Sequence, residues 1–167
     1  KGFDYTEGDA TAFHSPKPHS VNGCTVEVAS SGRSFTAAFS DALCELMARD
    51  GTVTACTAAM PDGTGVTKAL EKFPDRTWDT GICESHATDM MAGMAKTGLR
   101  PFFAVYSTFL QRAFDQCFQE ISLQGLPLRL CLDRAGLVGG DGAVHHGFCD
   151  VSILRTLPGA VLLAAID

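Results

Sequence analysis

The sequence has little positive charge and no long apolar run. Thirteen Lys and Arg stand against nineteen Asp and Glu, which gives a net charge of −6. Without a basic tract, a protein that binds nucleic acid by neutralising its phosphates is not expected. The longest strongly apolar run, 160–166, is too short to cross a bilayer, and nothing in the sequence predicts a signal peptide. We therefore expect neither a nucleic acid nor a membrane as a partner.

Cysteine pairs with metal-binding spacing are also absent. The seven cysteines are an odd number, and no two of them form a C-x-x-C motif. This pattern favours neither a disulfide framework nor a zinc knuckle, so no metal ligand is assigned. Several cysteines lie in apolar segments, where Cys packs as a small hydrophobic residue. We therefore predict that the protein lies in a reducing, cytosolic compartment.

The chain does have enough apolar residues for one domain. Hydrophobic residues make up 46% of its 167 residues and charged residues 19%, which is sufficient for a single substantial core. Residues 1–23 are polar and turn-rich, with Pro16 and Pro18, and are predicted to form an interdomain linker or arm. The domain itself is predicted to cover 24–167.

From Cys24 onward, short apolar runs alternate with segments whose apolar residues recur at helical spacing. This alternation is typical of an α/β domain with a mainly parallel β-sheet flanked by helices on both faces. About five strands fit the length. The predicted strands are 53–58, a short one at Trp78, 102–106, 128–132 and 161–166. The predicted helices cover 35–47, 84–96, 109–121 and 151–156.

Polar segments follow the predicted strands, and ligands of parallel sheets bind beyond the carboxyl ends of the strands. Glu84 stands at the start of a helix, where the helix dipole alone accounts for a carboxylate, and an acid in a cleft is the functional alternative. Tyr106, Phe109 and Arg112 fit either core packing or a platform for a flat ring beside a cation. Residue types alone leave these alternatives open.

Two further candidates follow the fourth strand. Arg134 comes directly after Asp133, which fits a surface ion pair or a bidentate phosphate clamp. His145 lies in a glycine-flanked loop, where an imidazole is suited to proton transfer, although buried or capping histidines are as common. The adjacent pair His145-His146 lacks the further ligands that a metal site needs.

Four segments of the sequence, taken in their order along the chain, provide evidence beyond these physical arguments. They are 73–76 (FPDR), 79–87 (DTGICESHA), 105–116 (VYSTFLQRAFDQ) and 133–147 (DRAGLVGGDGAVHHG). Together they closely resemble the 1-deoxy-D-xylulose 5-phosphate synthase branch of the transketolase-like, thiamine diphosphate-dependent enzymes. The resemblance begins near Gly51, with a weaker similarity at Lys1-Gly2 and Phe13-His14 to the segment joining that family's first two domains. It implies a central pyrimidine-binding domain of the thiamine diphosphate-binding fold, incomplete at its C-terminus.

The resemblance also implies roles for the matched residues. Glu84 matches a catalytic glutamate that hydrogen-bonds the aminopyrimidine ring nitrogen of the cofactor, and Phe109 matches the aromatic ring that stacks on it. Arg134 matches an arginine that binds the phosphate of glyceraldehyde 3-phosphate. The other matches are to active-site positions that set the cofactor or handle substrate, and they are Tyr106, Arg112, Asp141 and His145, with His14 as a weaker match. Among these, His145 is expected to share in catalysis.

The implied reaction joins pyruvate, with loss of carbon dioxide, to D-glyceraldehyde 3-phosphate, and its product feeds isoprenoid, thiamine and pyridoxal biosynthesis. The implied cofactors are thiamine diphosphate and Mg²⁺, whose ligands are expected on a diphosphate-binding domain missing from this chain, so the chain alone is expected to be inactive. A homodimer is implied, in the cytoplasm or, in a photosynthetic eukaryote, the plastid. The alternatives are another enzyme of this kind, such as transketolase or a 2-oxo acid dehydrogenase β subunit, and a non-catalytic interaction module.

Two positions depart from the family pattern. Ser85 stands where Gln is common, beside the matched glutamate, and Phe114 stands where Tyr is frequent. Neither change removes an implied role, but Ser85 is expected to loosen the local hydrogen bonding.

Overall fold

The fold is known from a computed structural model that describes residues 19–22, 25–28 and 32–165. The chain divides into two compact units, 1–34 and 35–167. In the first unit, β1 (His19–Asn22) pairs antiparallel with β2 (Thr25–Val28), and β1 occupies the end of the predicted linker. His14 lies outside the described residues, and the predicted boundary between 23 and 24 stays a prediction.

The second unit is built on four parallel strands in the order β4-β3-β5-β6. The strands are β3 (Val53–Thr57), β4 (Thr77–Asp79), β5 (Arg100–Tyr106) and β6 (Arg129–Asp133). Every residue of β3 is buried, as expected for a central parallel strand that is covered on both faces. The predicted α/β class with a mainly parallel sheet is confirmed.

Helices cover the two faces of this sheet. They are α1 (Phe35–Arg49), α2 (Pro61–Thr64), α3 (Thr67–Lys72), α4 (Glu84–Lys96), α5 (Phe114–Gln116) and α6 (Asp150–Leu154), with 3₁₀ helices at Pro74–Arg76, Ser107–Ala113 and Ala143–His145 and a π-helix at Cys117–Ser122. Neighbouring strand residues point to opposite faces. Phe103 therefore belongs to the same buried cluster as Met91 of α4, whereas Phe102 packs against the cluster that contains Met47 of α1. Each face therefore has its own apolar core.

Two predicted elements differ from the structure. The strand predicted at 161–166 is wrong, because residues 161–165 form no strand and are exposed. An apolar run predicts burial, but a strand also needs a neighbour for its backbone hydrogen bonds, and the sheet described here ends at β6. The helix predicted at 109–121 is helical throughout but passes from 3₁₀ through α to π geometry. None of the helices in the part of the chain that the structure describes is long and apolar enough to cross a membrane.

The strand order reverses at β3, and this reversal places the site. The chain leaves β3 for β4 on one side and returns through α4 to β5 on the other side. In an open parallel sheet, ligands bind beyond the carboxyl ends of the two strands at such a switch point. Here those ends are followed by α2 after β3 and by the 3₁₀ helix Ser107–Ala113 after β5.

Candidate functional site

Glu84 is a buried carboxylate at this edge of the sheet. It is the first residue of α4, and only 2% of its surface is exposed. Its Oε1 accepts a 2.6 Å hydrogen bond from Nη1 of Arg112, whose side chain is 54% exposed. The helix N-terminus and the guanidinium both favour a negative charge at this position. The structure thus brings Glu84 and Arg112 together, as expected if both belong to one site.

Three aromatic rings lie against one another beside this pair, and we call them the aromatic cluster: Tyr106, Phe109 and His145. The rings of Tyr106 and Phe109 are stacked with centroids 5.6 Å apart. The His145 ring meets both edge-on, at 5.9 Å from Tyr106 and 5.4 Å from Phe109. Cζ of Arg112 lies 5.0 Å from the centroid of Phe109, which connects the cluster to Glu84.

Arg134 is held by acceptors on three sides. Its Nη1 donates to the Gly63 carbonyl at 2.6 Å and to Asp133 Oδ1 at 2.9 Å, and its Nε donates to Asp141 Oδ2 at 3.1 Å. Its Cζ lies 4.4 Å from the centroid of the Tyr106 ring. Burial acts to lower the pKa of Arg134, but the hydrogen bond and charge of Asp133 outweigh it and raise the pKa above its ordinary value. Arg134 therefore forms the ion pair with Asp133 that its sequence position suggested, and a second ion pair with Asp141 holds the same half-buried guanidinium.

The backbone around Arg134 is constrained as well. Its φ of 56° is in the left-handed region, which few residues other than glycine adopt. The neighbouring Asp133 accepts a 2.7 Å hydrogen bond from the Thr36 hydroxyl through its other carboxylate oxygen. An unfavourable conformation that is held by surrounding bonds is common at functional sites. Here it turns the guanidinium towards Tyr106 and α2.

Tyr106 is packed tightly against Gly63. A Cβ added at Gly63 would lie 2.2 Å from the Tyr106 hydroxyl, so only glycine allows this approach of α2 to β5. Burial, as the largest cause, raises the pKa of the Tyr106 phenol above its ordinary value. Gly63 was not singled out from the sequence, because a single glycine in a polar loop does not reveal which side chain will approach it.

The loop 136–147 carries Asp141 and His145. It closes at its base through a 2.7 Å hydrogen bond from the Gly147 amide to the Gly136 carbonyl. Within the loop, Nδ1 of His145 lies 2.7 Å from the Asp141 carbonyl, which leaves Nε2 as the ring nitrogen outside this contact. His146 contacts the loop backbone instead, because its Nδ1 accepts a hydrogen bond from the Val138 amide at 3.0 Å.

Ser85, the departure noted beside Glu84, makes a direct contact. Its hydroxyl donates a 2.7 Å hydrogen bond to the Arg112 carbonyl, which links the first turn of α4 to the Ser107–Ala113 helix. The residues with predicted roles that the structure describes therefore meet at one edge of the sheet. They are Glu84, Tyr106, Phe109, Arg112, Arg134, Asp141 and His145. Within residues 19–22, 25–28 and 32–165, no group of three or more His, Cys, Asp or Glu is arranged to hold a metal ion.

Comparison with known proteins decides the family. Residues 31–167 match the family described as transketolase, pyrimidine binding domain. The chain belongs to this family. As a pyrimidine-binding domain, it is similar in fold to a transketolase from Leishmania mexicana, with a TM-score of 0.68 over 79% of this chain and 21% of that one at 18% identity. It also resembles a split-gene transketolase described as an inactive beta4 tetramer, with a TM-score of 0.62 and 27% identity over 72% of this chain and 39% of that one.

The domain is more similar in sequence to another group of proteins. It is 47% identical over 167 residues to a 1-deoxy-D-xylulose-5-phosphate synthase of Helicobacter hepaticus, and 48% identical over 169 residues to one of Anaeromyxobacter dehalogenans. Each alignment covers 100% of this chain but only 26% and 27% of those relatives. The pyrimidine-binding domain thus spans about a quarter of the length of the curated relatives it matches.

Proposed function

We propose that this domain supplies the pyrimidine-binding half of the active site in a thiamine diphosphate-dependent 1-deoxy-D-xylulose 5-phosphate synthase. The observation that carries the proposal is the buried carboxylate of Glu84 beside the aromatic cluster at the switch point of the sheet. The relatives that are 46–48% identical bear the synthase name, whereas the transketolases are 17–27% identical, which favours the synthase over transketolase.

The residues present fit an aminopyrimidine ring. Arg112 presents a flat group with N–H donors, and it both bonds the Glu84 carboxylate at 2.6 Å and lies over the Phe109 ring at 5.0 Å. A carboxylate acceptor and an aromatic face are therefore within reach of a single flat donor. A nitrogen heterocycle requires this combination of a carboxylate acceptor and an aromatic face. Glu84 and Phe109 would hold such a ring.

Bound thiamine diphosphate, held by Glu84 and Phe109, would supply a nucleophilic carbon for the carbonyl group of pyruvate. Glu84 would hold a proton between its carboxylate and the ring nitrogen, in a position shielded from water because only 2% of the residue's surface is exposed. Phe109 would orient the ring by stacking on it, and Tyr106, whose ring is stacked on Phe109 at 5.6 Å, would support Phe109. Nε2 of His145, the ring nitrogen outside the Asp141 contact, is suited to proton transfer with the substrate.

Arg134 is the proposed site for the phosphate of glyceraldehyde 3-phosphate. Its bonds to Gly63, Asp133 and Asp141 use Nε and Nη1, so Nη2 is the nitrogen that a phosphate oxygen would reach. Asp141 would help to keep the guanidinium in this orientation. A fixed guanidinium loses little conformational entropy when it binds an anion, which suits selection of a phosphorylated aldehyde.

The remainder of the cofactor site is proposed to lie elsewhere. Mg²⁺ and the diphosphate would be bound by a separate diphosphate-binding domain, and the active assembly would be a homodimer. Alone, this chain should bind thiamine diphosphate weakly and turn nothing over. Tight binding in a calorimetric titration of the isolated chain would contradict the division of the site between domains.

The decisive assay uses the complete polypeptide that contains this domain, with pyruvate and D-glyceraldehyde 3-phosphate as substrates. Glu84→Ala should lower kcat by about 100-fold or more, the usual scale of a lost acid–base group. Glu71→Ala, which removes an exposed carboxylate of α3, is the matched control and should leave the rate unchanged. Undiminished turnover in Glu84→Ala would remove Glu84 from the mechanism.

A further inference from the structure

The loop 136–147 brings both Asp141 and His145 to the site. The positions of these two side chains therefore depend on how the base of the loop is held. Asp141 accepts from Arg134, and His145 packs on the aromatic cluster. The hydrogen bond from the Gly147 amide to the Gly136 carbonyl brings the two ends of the loop together. A single backbone hydrogen bond is a weak constraint, so a further contact at the base would strongly affect the loop.

Asp150 provides such a contact. It begins α6, is only 9% exposed, and its Oδ2 accepts a hydrogen bond from the Gly136 amide at 3.3 Å. A Cβ added at Gly147 would lie 1.9 Å from the same Oδ2 and 2.7 Å from Cγ. The carboxylate therefore occupies the space that the missing side chain of Gly147 leaves, and it touches both ends of the loop.

Asp150 also lies beside the helix Ser107–Ala113, because Asp150 and Ser107 line the same cavity. Oδ1 of Asp150 and the Ser107 hydroxyl are both buried, and neither has a hydrogen-bond partner among the described residues. Both residues line one cavity with Leu110 and Cys117, whose volume of about 10 Å³ is room for one water molecule. Ser107 begins the 3₁₀ helix that carries Phe109 and Arg112.

We propose that Asp150 is a positioning residue that clasps the loop 136–147 at Gly136 and Gly147 and joins it, through one buried water shared with Ser107, to the helix that carries Phe109. By this means it keeps His145 against Phe109 and Asp141 against Arg134. The inference rests on the proposed function only for its kinetic consequence, because the clasp itself is a property of the fold.

The test compares four variants of the complete enzyme. Asp150→Ala removes the acceptor for Gly136. Asp150→Asn keeps its shape, offers an amide oxygen to Gly136, and directs an amide N–H₂ towards Ser107. Gly147→Ala introduces the Cβ that overlaps the carboxylate, at a position whose φ is not in the left-handed region. In the double variant Asp150→Ala/Gly147→Ala, the new methyl group enters the space that the carboxylate has left.

Two measurements are made on each variant. Amide hydrogen exchange over 136–147, measured without substrate, should become about tenfold faster in Asp150→Ala and in Gly147→Ala, as expected for local opening when a buried contact is lost. The value of kcat/KM for glyceraldehyde 3-phosphate should fall by about 10- to 100-fold in both, the scale of a misplaced catalytic group. Asp150→Asn should stay within about threefold of wild type in both measurements. The double variant should be no worse than Gly147→Ala.

Distinct outcomes would overturn the clasp. It fails if Asp150→Asn loses as much as Asp150→Ala, if the exchange of the loop is unchanged, or if the losses of Asp150→Ala and Gly147→Ala multiply in the double variant. Failure of the proposed function has a different signature, which is a wild-type enzyme that turns over neither substrate while loop exchange still responds to the variants.

Discussion

The guanidinium of Arg112 and the carboxylate of Glu84 form a 2.6 Å ion pair that crosses from the surface to the interior. Arg112 is half exposed, whereas Glu84 is almost wholly buried at the start of α4. A buried charge needs its partner far more than an exposed charge does. The pair therefore explains how the fold tolerates an acidic side chain between the apolar core and the aromatic cluster.

Replacing Arg112 should destabilise the domain more than replacing an arginine in a surface pair. Arg112→Met keeps much of the side-chain volume over Phe109 but leaves the Glu84 carboxylate without its cation. Loss of a fully buried pair costs about 3–5 kcal/mol, and the exposure of Arg112 reduces our expectation to about 1–3 kcal/mol. The free energy of unfolding from urea titration measures this loss.

The matched control for that variant is Arg49→Met. Arg49 pairs with Glu45 one turn away on α1, and both side chains are well exposed. An exposed pair of this kind contributes about 0.3–0.5 kcal/mol. Equal losses in Arg49→Met and Arg112→Met would show that burial of Glu84 does not set the strength of its pair.

The contact between Gly63 and Tyr106 makes a second prediction. Gly63→Ala should destabilise the domain by about 1–3 kcal/mol, because the new Cβ overlaps a buried, rigid phenol ring. This loss exceeds the gain of about 0.5–1 kcal/mol that alanine brings to a helix. Gly93→Ala is the control: Gly93 is exposed on α4 with no atom near its added Cβ, so the domain should become more stable. If both variants are stabilised, Tyr106 is not held as tightly as the structure indicates.

Much of the sheet could be predicted from the sequence because its central strands are apolar on both faces. The apolar runs at 53–58 and 102–106 correspond to β3 and β5, and the helix at 84–96 was predicted with its bounds. The same reasoning failed at 161–166, since hydrophobicity does not specify a neighbouring strand. A pattern of spacing also does not distinguish α, 3₁₀ and π geometry over Ser107–Ala113 and Cys117–Ser122.

The site could be predicted in part for a similar reason. The segments that follow the predicted strands, and the segments that resemble the family, indicated Glu84, Phe109 and Arg134, because their side chains have recognisable chemistry. Gly63 and Asp150 act through close packing, and such contacts depend on what the fold brings against them, Tyr106 in one case and Gly147 in the other. Only the folded arrangement reveals which glycine makes room for which side chain.

Buried thiols give a prediction for alkaline pH. Burial raises the pKa of Cys56 and that of Cys131 to about 12 and that of Cys117 to about 11, from an ordinary value of 9.0. Above pH 9 the unfolded chain releases protons that the folded chain keeps, so stability is full below pH 9 and declines as the pH rises towards 11 and 12. Between about pH 8 and pH 10 the free energy of unfolding should fall by roughly 2–4 kcal/mol, at about 1.4 kcal/mol per pKa unit for each of the three thiols.

Substitution of the thiols provides the check on that prediction. In Cys56→Ala/Cys117→Ala/Cys131→Ala the decline over this pH range, followed by urea midpoints, should be largely removed. Cys83→Ser, which changes an exposed cysteine, should leave the decline as in the wild type. A decline of the same size in all three proteins would assign the alkaline destabilisation to other groups.

Arg134 makes the sharpest prediction about substrate. In Arg134→Lys the positive charge remains, but an ammonium group cannot bond Gly63, Asp133 and Asp141 in one plane while it also lies on the Tyr106 ring. The complete enzyme should therefore show a KM for glyceraldehyde 3-phosphate that is about 10- to 100-fold higher, the scale of a lost charge-assisted hydrogen bond from Nη2 to phosphate. The KM for pyruvate should stay the same.

An unphosphorylated substrate separates phosphate binding from general damage to the site. With D-glyceraldehyde in place of its phosphate, wild type and Arg134→Lys should have similar kcat/KM, because neither enzyme then gains from a phosphate contact. Arg100→Lys is the control for the change from arginine to lysine. Arg100 pairs with Asp50 and is the first residue of β5, whereas Tyr106 of the site is the last residue of that strand. Equal losses of Arg134→Lys with both aldehydes would mean that Arg134 supports the fold of the site and does not bind the phosphate.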